Sequence, residues 1–156
     1  MTVIARMLLA CAASLVLCAP AAAQGITVRP LQNLTFGFLL PGVNTRIDPL
    51  NLSRSGQIEL LAARGTIFEV RMTVPTALAG QGTTLPLAYD AGSAAASALR
   101  SPIDAIRFDP RGTARFQLVT ADRASIFIGA EARPRVGQPV GSYTAPLVVT
   151  ITNLSN

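Results

Sequence analysis

Any chemistry performed by this chain would have to rest on carboxylates, because the other common catalytic side chains are missing. The sequence contains no His, and all 13 residues counted as Lys or Arg are Arg. A Ser–His–Asp triad and a Ser–Lys pair are therefore excluded, and so is an imidazole ligand for zinc, copper or iron. Both cysteines, Cys11 and Cys18, lie in an N-terminal segment that we expect to be removed. The mature chain would then have neither a thiol nucleophile nor a disulfide.

The acidic residues on or beside predicted strands are the remaining candidates for catalysis. They are Glu59, Glu69, Glu131, Asp104 and Asp109. A glycosidase requires two carboxylates that face each other across a cleft. Glu69 and Arg71 instead lie two residues apart on one predicted strand face, which favours a surface ion pair. We predict that the protein is not an enzyme; a hydrolase using Glu59, Glu69, Asp104 and Asp109 is kept as a minor alternative.

No motif indicates a cofactor, a metal ion or a nucleic acid. Asp90 and Asp104 are too sparse for a calcium loop, and the chain has no phosphate-binding glycine loop. The arginines are spread from Arg29 to Arg135 without a cluster of three, which argues against nucleic acid. We therefore predict no catalytic, cofactor-binding or metal-binding residues.

The first 23 residues have the organisation of a signal peptide. Arg6 precedes the apolar run Met7–Ala19, and the small residues Ala21–Ala23 follow it. This run is shorter than the roughly 20 residues that a membrane-spanning helix needs. We expect cleavage before Gln24, which leaves residues 24–156 as one domain in the periplasm, at the cell surface or outside the cell. We expect the chain to contact the membrane only through this cleaved leader.

The rest of the chain alternates apolar and polar residues in a way typical of β-strands. Leu34, Phe36, Phe38 and Leu40 share one predicted face, and Phe68–Val74 repeats the pattern. The last long segment alternates from Tyr143 to Ile151, with Thr residues on its other face. Gly and Pro turns separate these segments. We predict an all-β fold, an antiparallel β-sandwich of about 7–9 short strands.

Short motifs in these segments have a familiar pattern. The motifs are LTFG at Leu34–Gly37, IG at Ile128–Gly129, GSYT at Gly141–Thr144 and VVTI at Val148–Ile151. On these residues the chain resembles the secreted bacterial family called domain of unknown function 4402, which is similar to spore-coat-U-type and fimbrial subunits. The motif and core positions that carry the resemblance are Leu34, Phe36, Gly37, Gly129, Gly141, Tyr143, Val149 and Ile151.

The resemblance implies an immunoglobulin-like, pilin-like sandwich that acts as a structural or adhesive subunit at the cell surface. Its implied partners are other copies or related surface subunits, with a periplasmic chaperone and an outer-membrane usher as further candidates. Two features differ from fimbrial subunits. Such subunits typically end on an aromatic residue, whereas this chain ends at Leu154–Asn156. They also have a long alternating N-terminal arm, whereas only Ile26 and Val28 alternate here before Pro30.

Two functions remain open. The first is a surface subunit that assembles by strand addition, with Ile26 and Val28 as the candidate strand-exchange arm. The alternative is a monomeric exported module that binds a glycan or matrix component through loops 90–101 and 134–141. Three N-x-S/T sequons, at Asn33, Asn51 and Asn153, are most simply read as chance occurrences in a Ser- and Thr-rich chain.

Overall fold

The computed structural model describes residues 25–80, 82–98, 102–118 and 122–155. Within these ranges the chain forms 12 antiparallel strands in three sheets. The described residues include no helix of the length and apolarity that crossing a membrane requires. The strands are β1 (Thr27–Gln32), β2 (Thr45–Ile47), β3 (Gly56–Leu61), β4 (Ile67–Thr73), β5 (Ala77–Gly80), β6 (Thr83–Ala88), β7 (Ala94–Ser97), β8 (Ile106–Phe108), β9 (Thr113–Gln117), β10 (Arg123–Ile128), β11 (Ala130–Ala132) and β12 (Val148–Asn153).

The predicted all-β antiparallel architecture is confirmed, but the predicted number of strands is too low. Three of the strands, β2, β8 and β11, have only 3 residues each, which is too short to leave a period-two signal in the sequence. The signal peptide expected at residues 1–23, with Cys11 and Cys18, lies outside the described residues.

Two of the sheets enclose the larger core. The five-stranded sheet has the order β1-β3-β10-β7-β8, and the three-stranded sheet has the order β12-β4-β9. Leu60 and Ile126 from the first sheet meet Phe68 and Val70 from the second, and all four are fully buried. Their alternation along each strand explains the burial, since every second side chain of a strand points to the same face.

A smaller core lies beside the third sheet, whose order is β2-β11-β6-β5. Ile47, Leu85 and Ala132 come from its strands, and Phe36 packs onto them from the irregular segment that follows β1. The half-buried ring of Tyr143, which is distant in sequence from these strands, also packs against this core. Backbone hydrogen bonds between Ala79 and Thr144 hold that segment against β5.

Gly129 lets one stretch of chain serve both cores. It separates β10, in the five-stranded sheet, from β11, in the four-stranded sheet. A Cβ atom at Gly129 would collide with the carbonyl oxygen of Ile47 and would lie 2.8 Å from the nitrogen of Pro49. Only glycine allows the β2–β3 connection to approach the backbone this closely.

Three sequence-based assignments are wrong in detail. Residues 34–40 form no strand; Phe36 is buried, whereas Phe38 is fully exposed. The predicted final strand is regular only in β12, because residues 143–147 have one isolated bridge and no ladder. The predicted loop 90–101 contains β7, a buried strand between β10 and β8, whose four small residues gave no sign of a strand. The predicted loop 134–141 is irregular as expected.

Candidate functional site

The candidate strand-exchange arm is an edge strand of the five-stranded sheet. β1 pairs only with β3, with Val28 opposite Leu60 and Pro30 opposite Ile58. Its first five residues are exposed, and the register shifts between Pro30 and Gln32. Pro30 has no N–H to give to the ladder, so it weakens the pairing further. The structure therefore places Val28 in a strand that is folded onto its own chain but buries little surface.

The two ends of β1 are anchored by different means. Ile26, just before the strand, is half-buried and packs against the larger core. At the other end the side-chain amide of Gln32 donates hydrogen bonds to the carbonyl oxygens of Leu52 (3.1 Å) and Ser55 (2.8 Å). Between these anchors the strand depends mainly on backbone pairing with β3.

The final strand, β12, is an edge of the three-stranded sheet. Val149 and Ile151 face the larger core and are half-buried, whereas Thr150 and Thr152 are exposed. β12 pairs only with β4 along Val148–Asn153, and two further hydrogen bonds join Leu154 and Ser155 to Ile67. The outer side of β12 has no strand beside it among the described residues.

An apolar cleft opens between the other two edges of the sandwich. β8 and β9 are edge strands of different sheets, joined by the turn Asp109–Gly112. The cleft has a volume of about 450 Å³ and is lined by buried groups that include Phe68, Leu118 and Ala124. We call this feature the β8–β9 cleft. Exposed residues line it as well. Its exposed lining residues include Asp104, Ile106, Arg115 and Gln117.

Glu69 and Asp109, two of the acidic residues considered for catalysis, are held by arginines. Glu69 accepts hydrogen bonds from Arg115 (3.0 Å) and Arg71 (3.1 Å), and these bonds lower its pKa in that order of importance. Asp109 binds Arg111 at 2.7 Å, and this side-chain hydrogen bond is the main cause of its lowered pKa. A carboxyl group with a lowered pKa is ionised at neutral pH and cannot donate the proton that a general acid supplies.

Glu59 has a different environment from the other acids. It is 1% exposed on the side of β3 that faces away from the larger core, and its carboxylate lies 3.6 Å from the Arg123 guanidinium. The cross-strand register puts Ser125 directly opposite it, and the buried hydroxyl of Ser125 has no hydrogen-bond partner among the described residues. Among the described residues, no three His, Cys, Asp or Glu side chains are grouped so that they could hold a metal ion.

A small polar cleft lies where the two predicted binding loops begin. Its volume is about 100 Å³, and we call it the ion-paired cleft. Arg46 binds Asp90 at 2.5 Å, and Arg133 binds Glu131 at 2.6 Å. Tyr89 also lines the cleft, and burial raises its pKa to about 12, so its hydroxyl stays protonated. The fold thus brings Asp90, at the start of loop 90–101, close to Arg133, just before loop 134–141.

Asp90 is the most constrained acid of the ion-paired cleft. Its carboxylate accepts hydrogen bonds from the backbone N–H of Gly92 (2.9 Å) and the hydroxyl of Ser93 (2.9 Å). The Gly92 bond, followed by the ion pair with Arg46, lowers its pKa. The residue is therefore a fixed acceptor, because its negative charge is stabilised from three directions.

The motif positions of the sequence divide between the two cores and the turns. Phe36, Leu34 and Tyr143 belong to the smaller core, and Val149 and Ile151 pack on the larger one. The Tyr143 hydroxyl donates to the Pro139 carbonyl (2.7 Å) and accepts from the Gln138 amide (2.9 Å). The glycines Gly37, Gly129 and Gly141 lie in irregular connections.

The sequence analysis missed an apolar surface formed by two loops. The exposed residues on these loops are Phe38, Leu40, Val43, Val136 and Val140. The loops touch, because a Cβ atom at Gly42 would lie 3.0 Å from Val136 Cγ2, and the Gly42 N–H donates to the Pro134 carbonyl. The signal was present as six consecutive apolar or turn residues, FLLPGV at 38–43, but alternation assigned the first three of them to a strand.

All three sequons are exposed, and two of them make local turns. Asn51 Oδ1 accepts from the backbone N–H and the hydroxyl of Ser53, and Asn153 Oδ1 accepts from the N–H of Ser155. Asn33 lies just after β1. The side chains of Asn51 and Asn153 therefore stabilise local turns, which is a common role for Asn.

Comparison of the chain with protein-family models, with curated proteins and with solved structures found no match.

Proposed function

We propose that this protein is an exported, non-catalytic structural or adhesive subunit of the cell surface, which assembles with other copies by strand addition. The observation that carries the proposal is β1, an exposed N-terminal edge strand that contains a proline and a register shift. Such a strand loses little when it leaves its own chain, because only Ile26 before it packs on the core. The vacated edge of β3 then accepts the same strand from a neighbour.

The resemblance to fimbrial-type subunits supports the same proposal. It adds related surface subunits, a periplasmic chaperone and an outer-membrane usher as candidate partners, and an immunoglobulin-like topology as the finer description of the sandwich. The motif residues Phe36 and Tyr143 lie together in the smaller core, which is consistent with a shared packing pattern. The expected leader at 1–23 supports export to the periplasm, the cell surface or the medium.

Deletion of residues 24–29 tests strand addition. The variant should fold, since burial of one half-exposed Ile is worth only about 1–2 kcal/mol, and light scattering should find it monomeric where the unmodified chain forms oligomers. A peptide with the sequence of residues 25–32 should then bind the variant, whereas the same peptide with Val28→Asp should bind weakly. Oligomers that form after the deletion with the same size and at the same concentration as those of the unmodified chain would count against strand addition.

A monomeric binding module is the second candidate, and the ion-paired cleft favours it. Arg46, Asp90, Glu131 and Arg133 present donors and acceptors around Tyr89, a set that suits the hydroxyl groups of a glycan. On a glycan array, Asp90→Asn or Arg133→Gln should abolish any binding found. Arg71→Gln is the matched control, because it removes an ion pair with Glu69 on β4, in a different sheet from the strands of this cleft.

A further inference from the structure

The two contacting loops carry large apolar side chains that the fold itself does not bury. We call it the apolar tip and define it by Phe38, Leu40, Val43, Val136 and Val140. Phe38 is fully exposed, and Val136 and Val140 are 93% and 92% exposed. Large apolar groups gathered on adjoining loops are uncommon on isolated soluble proteins and usually mark a binding surface.

The apolar tip is flanked by arginines that have no acidic partner. Arg54 lies beside the first loop, since a Cβ atom at Gly37 would be 3.9 Å from its guanidinium carbon. Arg135 directly precedes Val136 in the second loop. Neither arginine makes an ion pair within the part of the chain that the structure describes. The tip therefore offers an apolar centre with a positive rim.

The β8–β9 cleft has the complementary properties. It is concave, its buried lining includes Phe68, Leu118 and Ala124, and its volume is about 450 Å³. Because an apolar cavity of about 150 Å³ can hold benzene, the cleft has room for a phenyl ring and a neighbouring side chain. Asp104 lines it, is exposed, and forms no ion pair with a described residue. The cleft thus offers an apolar floor with an unpaired negative charge beside it.

These two surfaces lie towards opposite ends of the molecule. Ala124, at the start of β10, lines the cleft. The chain then runs through β10 and β11 in nearly extended form before it reaches the tip at Val136. Leu34, which leads into the first tip loop, lies beside Gly56, and Gly56 pairs with Ile128 at the other end of β10. The cleft and the tip therefore lie towards different ends of the five-stranded sheet.

We propose that the apolar tip of one copy docks into the β8–β9 cleft of the next copy. Phe38 and Val136 enter the cleft, while Arg54 and Arg135 approach Asp104. The contact rests on the proposed self-assembly of the chain, but it uses residues distant from β1. Because the two surfaces differ and lie towards opposite ends, each copy keeps one free tip and one free cleft, and the contact builds an open, end-to-end series.

Two variants that each damage one surface test this contact. Phe38→Ser with Val136→Ser removes the apolar groups of the tip, and Ile106→Arg puts a positive charge at the mouth of the cleft, where it repels the arginines of the tip. All three positions are exposed, so the substitutions leave both cores intact. Val148→Ser is the matched control, since Val148 is an exposed valine on β12 away from both surfaces. Each chain is expressed from its full sequence and studied by sedimentation over a wide range of concentrations.

Each damaged variant should need a protein concentration about tenfold or more above that of the unmodified chain to assemble, as for loss of a buried anchor. A mixture of the two should assemble at a concentration between that of the unmodified chain and those of the single variants. An intact tip can then meet an intact cleft, while strand addition through β1 is unaffected in both variants. Assembly of both variants at the unmodified concentration would overturn the contact. So would normal assembly of Ile106→Arg alone, which would indicate that tips pair with tips.

Two further outcomes separate this contact from its alternatives. Loss of binding to vesicles of anionic phospholipid in the tip variant, with assembly unchanged, would show that the tip meets a membrane and would overturn docking between copies. If the unmodified chain stays monomeric at every concentration, the proposed self-assembly fails together with this contact. If the unmodified chain assembles and the damaged variants assemble equally well, only the tip-to-cleft contact fails.

Discussion

At the scale of single residues, Gly129 is a position where the neighbouring backbone leaves no room for a side chain. The Ile47 carbonyl and the Pro49 nitrogen occupy the space where a side chain would begin. We expect Gly129→Ala to destabilise the protein by about 2–3 kcal/mol, because rigid backbone on the other side must move. Gly112→Ala is the control: its Cβ atom would make an ordinary 3.5 Å contact, and its effect should stay within about 0.5 kcal/mol. Urea denaturation measures both, and equal effects would contradict the argument.

Glu69 gives a prediction about pH at the same scale. Its pKa is lowered from 4.5 by hydrogen bonds from Arg115 and Arg71. Because folding lowers this pKa, the ionised carboxylate stabilises the folded protein at pH values above the pKa of the unfolded chain. This stabilisation is lost as the pH falls through the pKa of the folded state. Glu69→Gln should therefore be less stable than the unmodified chain at neutral pH, and the difference should shrink on acidification below 4.5. Denaturation curves at several pH values measure it; a difference that does not change with pH would contradict the assignment.

At the scale of elements, alternation in the sequence was informative only where a strand had a partner on both sides or a core beneath it. Phe68–Met72 alternates and forms β4, the centre of its sheet. Phe36 and Phe38 alternate in the same way, yet the segment has no ladder and the two rings lie in opposite environments. Alternation at every second residue predicts the direction in which side chains point. It does not specify which neighbouring strand supplies the backbone hydrogen bonds.

β7 shows the reverse failure. Its sequence AAAS has no apolar alternation, and yet all four residues are buried because β10 and β8 flank it and both of its faces are covered. A strand covered on both faces shows no alternation, because neither face has to be polar. The apolar tip was missed for a related reason. It exists only because the fold brings two loops together, and no local sequence pattern specifies that contact.

The burial of β7 yields a prediction for that strand. Ala94→Leu should destabilise the protein by about 1–3 kcal/mol, because Ala94 is completely buried in the larger core and the extra carbons would overpack it. Ala91→Leu provides the comparison, since Ala91 is exposed in the turn before β7 and should tolerate the larger side chain. Thermal unfolding of both variants measures the contrast. Similar melting temperatures would mean that β7 is not packed as described.

At the scale of the whole molecule, two cores of unequal size share one continuous stretch of chain. The larger core has ten buried apolar residues and the smaller one has five. Local stability follows the amount of buried apolar contact, so the smaller core should open more often than the larger one. This division also separates the proposed surfaces: β1 and the β8–β9 cleft border the larger core, whereas the apolar tip and the Tyr143 segment border the smaller one.

Hydrogen exchange should therefore divide the molecule along that line. Amides of β3 and β10, which flank each other in the five-stranded sheet, should exchange only through global unfolding. Amides of β6 and β11 should exchange faster, through openings of the smaller core that leave the larger sandwich intact. Leu85→Ala, in the smaller core, should accelerate exchange in β6 and β11 far more than in β10, because the cavity weakens the smaller core first. Equal acceleration in all these strands would show that the two cores unfold as one unit, and the loops of the apolar tip would then be held as firmly as the sandwich.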